Sequence, residues 1–380
     1  MFARNTCCTS EAEGKEAGKL LSRTATPGCP LWFQQGESGQ PRVAVLLESK
    51  TALPPGSREA GSENHFRGKL RDMKIASLLP SATEILFALG LGDEVAGVSH
   101  ECDFPAEARS KPVLIKSRIS HTECAAAIDR QVREFLERGE SLYSVDFELL
   151  RAIEPDVIVT QDLCHVCAAT PDDLGAALAH LQCQPRVVTL NPHSLADVCA
   201  DIRTVGEATG RAEQANTLVA EFEKEIANVE RSVAGLDQPR VLCLEWLDPP
   251  YVAGHWVPEM VERAGGVDVL GHQGKPSFRV DWEVVVATRP EVVVIMPCGY
   301  SLAAADADFR NLSLPQGWKD LPAVRDGRVF VVEASGYFSR PGPRLAAGLR
   351  VLAGAIHSGK QDRLLPFESE ALLARVATAG

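Results

Sequence analysis

The chain has 380 residues, of which 45% are hydrophobic and 24% charged, and its formal net charge is −12 at pH 7. This composition is typical of globular proteins and excludes a collagen, a coiled coil and a wholly disordered chain. The negative charge argues against nucleic-acid binding, because phosphate contacts require a basic surface. No apolar stretch approaches the ~18 residues of a membrane-spanning helix.

Residues 1–72 have little helical periodicity and many turn-forming residues, and we expect a disordered or non-native extension. They lack the basic start and apolar core of a secretory signal. Eleven cysteines are too few for a disulfide scaffold, and their odd number favours a reducing compartment. The sequence therefore favours a cytoplasmic location, or an extracytoplasmic one if this first segment is not native.

From residue 73 onward, short apolar runs alternate with amphipathic helical stretches. The strand-like runs lie at 75–79, 95–98, 156–160, 186–190, 241–244, 291–296 and 329–332. This alternation predicts an α/β fold with two Rossmann-like lobes, parallel sheets and right-handed crossovers. Between the first two runs, Ser81 and Glu84 have the spacing of a capping box, which predicts a helix that Gly90 closes.

A repeat relates the two halves of the chain. Residues 145–159 align without gaps to residues 280–294, at a constant offset of 135. Each copy predicts a short helix capped by an Asp, a break before a Pro and a buried Val/Ile strand. We interpret the repeat as two duplicated lobes.

The segment between the copies predicts helices that join the lobes. Ser194 is a candidate N-cap, and Leu195, Val198, Ile202 and Val205 form a helical apolar stripe. Some forty helical residues would reach roughly 60 Å, and even a helix broken at Gly210 would be long enough to cross from one lobe to the other. The predicted organisation is a first lobe over 73–192, a linking helix over 193–236, a second lobe over 237–358 and a tail over 359–380.

The loops after the predicted strands are the expected ligand site, because open parallel sheets bind ligands beyond the carboxyl ends of their strands. Three of the four tyrosines and two of the five tryptophans lie in these loops. Such clustering indicates a stacking surface for a large flat ligand, although aromatic rings also serve loop packing.

From Lys74 to about His357 the chain resembles the periplasmic substrate-binding proteins with a helical backbone, especially their vitamin B12 (cobalamin) and ferric-siderophore binders. The motifs that carry the resemblance are 79–86 (LPSATEIL), 97–99 with 102–105 (GVS, CDFP), 147–150 with 155–158 (FELL, PDVI), 248–251 (DPPY) and 337–344 (YFSRPGPR). The resemblance implies two lobes joined by a long backbone helix, with a corrinoid held between them.

The resemblance also assigns individual residues. Trp246, Tyr251, Tyr337 and Arg340 match pocket positions of the cobalamin binders, while Glu101 stands where those proteins have a stacking aromatic. Tyr143 and Phe278 lie near two further aromatic positions. The ligand-binding residues predicted from the loops and the resemblance together are Ser99, His100, Glu101, Asp162, Cys164, Trp246, Tyr251, His255, Trp256, Tyr337, Phe338 and Arg340.

A transporter partner is also implied. In the family, one acidic residue on each lobe meets arginines of the membrane permease, and the matching positions are Glu148 and Glu283 of the repeat. Ordinary solvated helix carboxylates explain the same residues equally well. We expect a monomer that binds a small molecule, with no nucleic-acid partner.

Cysteine and histidine residues leave other functions open. Cys164 and Cys167 form a C-x-x-C pair, and His100 lies on another loop of the expected cleft. These three residues are candidate metal ligands or the centre of a metal- or thiol-dependent enzyme, whereas small buried cysteines also occur for packing alone. The interpretation we favour is a non-enzymatic binder that needs no resident cofactor and takes cobalamin as its ligand. A ferric siderophore or a metal ion is the alternative ligand.

Overall fold

The computed structural model describes residues 73–120, 125–162, 175, 178, 181–182 and 184–358, and the backbone of 373–375. The segment 1–72, most of the tail and the pair Cys164 and Cys167 lie outside the described residues. Two α/β lobes, each built on one sheet, confirm the predicted fold class.

The strands in chain order are β1 Ile75–Ser77, β2 Val95–Ser99, β3 Val113–Ser117, β4 Tyr143–Val145, β5 Val157–Gln161, β6 Arg186–Leu190, β7 Arg240–Leu247, β8 Pro250–Val252, β9 Val267–Asp268, β10 Phe278–Arg279, β11 Val292–Ile295, β12 Val329–Val332 and β13 Leu373–Arg375. The helices are α1 Pro80–Ala88, α2 Ala125–Glu137, α3 Phe147–Ile153, α4 Leu195–Ala208, α5 Ala212–Val233, α6 Val257–Arg263, α7 Trp282–Ala287, α8 Leu302–Asn311, α9 Pro322–Arg325, α10 Ala334–Tyr337 and α11 Leu345–Ile356.

The first sheet has the strand order β4-β3-β2-β1-β5-β6, and the second has the order β10-β8-β7-β11-β12-β13, with β9 beside β7. The central strands are parallel, whereas β4, β8, β10 and β13 pair antiparallel to their neighbours. Both sheets are therefore mixed rather than parallel as predicted. The sequence patterns find long buried Val/Ile runs, and they missed these short antiparallel strands.

The repeat is confirmed at the level of single hydrogen bonds. The carboxylates of Asp156 and Glu291, 135 residues apart, accept the backbone N–H groups of Lys74 and Arg240, each at 2.9 Å. Glu154 and Arg289, each directly before the Pro of its copy, both adopt the left-handed conformation, with φ of 49° and 47°. The two lobes therefore attach their helix–strand unit to the sheet in the same way.

The two copies differ at the helix cap. Asp146 accepts the Leu149 N–H at 3.0 Å, as predicted. Asp281 occupies the same position before α7 but makes no side-chain cap bond. The capping box expected at Ser81 and Glu84 is also wrong, because the helix begins at Pro80 and Leu79 is its N-cap. A proline fits the first helical position, since its missing N–H has no partner there anyway.

Helices α4 and α5 form the link between the lobes. Ser194 caps α4 through the Asp197 N–H at 3.1 Å, as predicted. The 22-residue α5 is the long helix, but the link is not a strut of 60 Å. Gly210 turns the chain with φ of 70°, and α4 and α5 fold back on each other, with an Arg203–Glu223 ion pair at 3.7 Å. A Cβ on Gly206 would lie 2.4 Å from the Ala215 Cβ, so this close approach requires glycine.

The main core runs through both lobes and the link. It contains Leu86 of the first lobe, Ile202 and Phe222 of the link, and Val294 and Leu349 of the second lobe. None of the helices in the described part of the chain has both the length and the apolar character that crossing a membrane requires.

Candidate functional site

The first lobe presents His100 and Glu101 directly after β2. The His100 N–H donates to the Ile115 carbonyl at 3.0 Å, and the ring Nδ1 lies 3.1 Å from the same oxygen. The His100 Nε2 lies 3.4 Å from a Glu101 carboxylate oxygen. The Tyr143 ring is 6.3 Å from the His100 ring. Neighbouring strand ends thus bring these predicted residues together.

The second lobe presents Trp246 near the end of β7. Its indole N–H donates to the Asp248 carbonyl at 3.2 Å, which fixes the ring on the β7–β8 hairpin rather than on a loop. The ring meets Tyr300 edge to face, with centroids 5.4 Å apart. Tyr300 is absent from the predicted site residues, although its place after β11 and its aromatic type could have indicated it.

Trp246 also reaches the first lobe. It packs against a small cluster formed by Ile128 and Val132 of α2 and by Leu142, and Tyr143 packs against the same cluster. Aromatic side chains of both lobes therefore meet around one apolar patch.

Arg340 and Arg344 tie the second lobe to the first. Arg340 pairs with Asp103, donates to the Glu101 carbonyl at 2.9 Å and lies 3.6 Å from Glu84. Arg344 donates to both carboxylate oxygens of Glu84. Arg340 is 8% exposed, so its charge is neutralised by protein groups in this structure.

Four other predicted contacts are buried against the protein. Tyr251, Trp256 and Phe338 are 4%, 5% and 2% exposed. The Trp256 indole donates to the Phe338 carbonyl at 2.8 Å. His255 is left-handed, with φ of 53°, and its ring is 5.6 Å from the His193 ring. Their role in ligand binding stays a prediction, since each already fills space within the fold.

Burial shifts two titrating groups of this region. It lowers the pKa of His255 to about 4, with a further contribution from His193. Burial raises the pKa of Glu245 to about 7, although hydrogen bonds from Ser277 and the Gly254 backbone lower this pKa and offset part of the effect. His255 is therefore neutral at pH 7, and Glu245 is partly protonated there.

None of the remaining predicted contacts in the described part of the chain belongs to the cluster around Trp246. Ser99 is buried at the end of β2. Asp162 is exposed after β5, and its backbone N–H donates to the Leu190 carbonyl at 3.0 Å. Tyr337 is half-buried, with the Arg344 guanidinium 5.2 Å from its ring centre. Phe278 stacks on His272 at 6.0 Å.

The metal and thiol hypothesis concerns residues that are only partly described. Within the described residues, no three His, Cys, Asp or Glu side chains are grouped closely enough to hold a metal ion. Burial raises the pKa of Cys102 and of Cys199 to about 11, which keeps both thiols protonated and unreactive. Cys298 is exposed.

Glu148 and Glu283 lie on α3 and α7, the equivalent helices of the two lobes. The Glu148 side chain is 88% exposed and lies 3.7 Å from Arg151. Glu283 is exposed in the first turn of α7. The exposed apolar residues Phe147 and Val284 adjoin them, each 44% exposed.

Two α/β lobes with a helical link and a shared aromatic patch define a two-lobed ligand-binding protein. The family model described as periplasmic binding protein matches residues 75–335, and the chain belongs to this family. Its members are substrate-binding proteins that serve ABC transporters.

The relatives differ in their ligands. The chain is 24% identical to the ABC transporter substrate-binding lipoprotein YvrC of Bacillus subtilis, over 90% of this chain and 96% of that one. It is 22% identical to the vitamin B12-binding protein of Vibrio cholerae, over 71% and 84%. The periplasmic heme-binding protein RhuT of Roseiflexus sp. RS-1 superposes with a TM-score of 0.58 and 25% identity, over 77% and 100%.

Proposed function

We propose that the protein binds cobalamin or a related corrinoid between its lobes and delivers it to an ABC-type importer or to an intracellular partner. The observation that carries the proposal is the packing of Trp246, which Tyr300 meets edge to face, against first-lobe side chains around one apolar patch. A corrinoid offers broad faces and a methyl-rich rim. Removing such a surface from water contributes ~25 cal/mol per Å².

The charge distribution supports an uncharged macrocycle. Arg340 is held by Asp103, Glu84 and the Glu101 carbonyl. An anionic ligand would have to compete with these groups for the guanidinium, at a cost in desolvated charge. The amide groups of a corrinoid are uncharged and do not need to displace these groups from the Arg340 guanidinium.

A heme or ferric siderophore is the second candidate. One structural relative binds heme by its name, and His193 and His255 place two imidazole rings 5.6 Å apart. Imidazole is a common ligand of heme iron. In this alternative the iron macrocycle would bind near the link rather than at Trp246.

Calorimetric titration distinguishes these ligands. We expect cyanocobalamin to bind more tightly than hemin or a ferric hydroxamate, and Trp246→Leu to weaken its binding at least tenfold. Trp282→Leu, which removes a tryptophan packed on Trp318 outside the site, is the matched control and should bind normally. Failure of cyanocobalamin to bind the folded protein at tens of micromolar would refute the corrinoid assignment. Tight hemin binding lost in His255→Ala would favour the second candidate.

We further propose that Glu148 and Glu283 are the contacts for a permease, one on each lobe. Their support is their equivalent placement on exposed helices beside the exposed apolar residues Phe147 and Val284. Carboxylates of this kind pair well with arginine, whose planar donors match their geometry.

A further inference from the structure

Helix α2 lies in the connection between β3 and the edge strand β4, which pairs antiparallel to β3. Its buried side carries Ile128, Asp129 and Val132. Its other side carries Arg130 and Glu134, which are exposed. The four-residue spacing of Ile128 and Val132 places them on one face, so the helix has a single apolar side.

This apolar side covers a residue of the other lobe. Ile128 and Val132 are 5% and 1% exposed, and together with Leu142 they form a separate small cluster against which Trp246 packs. The main core holds both lobes and the link together but does not include these residues. Few buried side chains therefore hold the face of α2 against the second lobe.

Charges accompany the apolar contact. The Asp129 side chain is 2% exposed and pairs with Arg133 at 2.8 Å. Burial raises the Asp129 pKa, Arg133 and Arg279 of β10 lower it, and Asp248 of the hairpin raises it. Asp129 therefore interacts electrostatically with Arg279 and Asp248 of the second lobe as well as with Arg133 of its own helix.

We propose that α2 is a lid over the aromatic end of the inter-lobe site, and that it competes with the ligand for the face of Trp246. The inference rests on the proposed function, which assigns Trp246 to the ligand. Without ligand, Ile128 and Val132 keep water from the indole ring. With ligand, the macrocycle takes their place and α2 moves away from the hairpin.

The lid makes Ile128 and Val132 determinants of selectivity. A ligand must contribute enough apolar contact to replace both side chains, which favours a broad ring system over a small solute. A protein that must open before binding has an apparent affinity reduced by the fraction that is open. Weakening the lid contact therefore strengthens or accelerates binding, whereas weakening an ordinary wall of the site would weaken it.

The test uses the full chain and the variant Val132→Ser, with Glu134→Ser on the exposed side of the same helix as the matched control. In the ligand-free protein, Val132→Ser should shift the Trp246 emission to the red and increase its quenching by acrylamide. Trp246→Phe variants in each background identify that emission. In stopped-flow mixing with cyanocobalamin, Val132→Ser should associate about tenfold faster than the wild type, and Glu134→Ser at the wild-type rate.

Each result decides the proposal. Unchanged Trp246 emission in Val132→Ser overturns the covering contact, and an unchanged or slower association rate overturns the competition. If neither cyanocobalamin nor hemin binds any folded variant, the proposed ligand class fails. The lid is then judged by the emission and quenching of Trp246 alone. Should Val132→Ser not fold, Val132→Ala provides the same measurements at a smaller amplitude.

Discussion

Glu84 of the first lobe accepts two hydrogen bonds from Arg344 of the second lobe, 260 residues away in the chain. The Arg344 Nε lies 2.9 Å from one carboxylate oxygen, and a terminal nitrogen of the same guanidinium donates to the other. The side chains are 3% and 18% exposed. This pair and the neighbouring Arg340 hold the two lobes together at the side of the first lobe that carries α1.

Removing the Glu84 charge should destabilise the protein strongly. Glu84→Gln keeps the side-chain shape but leaves the Arg344 guanidinium without its anion, and the loss of one partner of a buried pair costs about 3 kcal/mol. Urea denaturation measures the change. Glu225→Gln removes an exposed pair with Arg350 and is the matched control, with a much smaller loss expected. Equal losses of unfolding free energy in both variants would contradict a stabilising buried ion pair between Glu84 and Arg344.

Asp201 of α4 should make stability depend on pH. Burial and the neighbouring Asp197 raise its pKa to about 7, and its Oδ2 is buried without a hydrogen-bond partner among the described residues. The folded protein therefore binds more protons than the unfolded chain between pH ~4 and 7, so this contribution to stability falls as pH rises through that range. Asp201→Asn should stabilise the protein by roughly 2 kcal/mol at pH 8 and little at pH 4.

Thermal or urea denaturation at both pH values checks this prediction. Glu207→Gln changes an exposed carboxylate on the same helix, and we expect less than about 0.5 kcal/mol at either pH. A gain in Asp201→Asn that is as large at pH 4 as at pH 8 would rule out the raised pKa as its cause.

Tyr300 should support the ligand contact of Trp246. Its edge-to-face packing on the indole is worth about 1 kcal/mol, and its loss lets the ring leave its orientation. We expect Tyr300→Leu to weaken cyanocobalamin binding about fivefold in calorimetry. Leu314→Ala, at an exposed residue of the second lobe, is the control with unchanged affinity. An unaltered affinity in Tyr300→Leu would show that Tyr300 does not contribute to ligand binding.

The paired glutamates should act in transporter docking and not in ligand binding. In a reconstitution with the cognate permease, we expect Glu148→Ala with Glu283→Ala to abolish complex formation, while cyanocobalamin affinity is unchanged. Glu213→Ala with Glu221→Ala removes the same charge from α5 and is the matched control. Docking that survives in the Glu148 and Glu283 variant would remove their proposed role.

Cys298 should react fastest among the described cysteines. It is exposed, whereas Cys102, Cys199 and Cys243 are buried. Alkylation of the native protein followed by peptide mass spectrometry should label Cys298 well before Cys102, because the thiolate is the reacting form and burial raises the Cys102 pKa to about 11. Early labelling of Cys102 would show that its surroundings open in solution. The same measurement compares wild type with Cys164→Ser/Cys167→Ser and so tests the thiol hypothesis for that pair.

Local sequence patterns predicted much of the fold. Val/Ile runs identified the central strands, and the runs at 186–190 and 329–332 match their strands in full. Ser194 and Asp146 cap helices as predicted because a cap depends on residues only three positions away. The capping box failed because the helix begins at Pro80 with Leu79 as its N-cap, and because Glu84 pairs with the distant Arg344 instead.

The candidate site was less accessible to sequence analysis. Aromatic residues near strand ends indicated Trp246, but its packing on α2 joins residues more than a hundred positions apart. No local pattern records such a contact. Phe338 and Trp256 show the reverse problem, because an aromatic residue in a loop sequence can be fully used by the core.

The back-folded link has a consequence for how the molecule comes apart. One continuous core passes from the first lobe through α4 and α5 into the second, so neither lobe can melt without breaking buried contacts that the other lobe shares, even though each also has a smaller core of its own. Heat should therefore dissolve both halves in a single cooperative event, and any movement that admits a ligand must be confined to peripheral pieces such as α2.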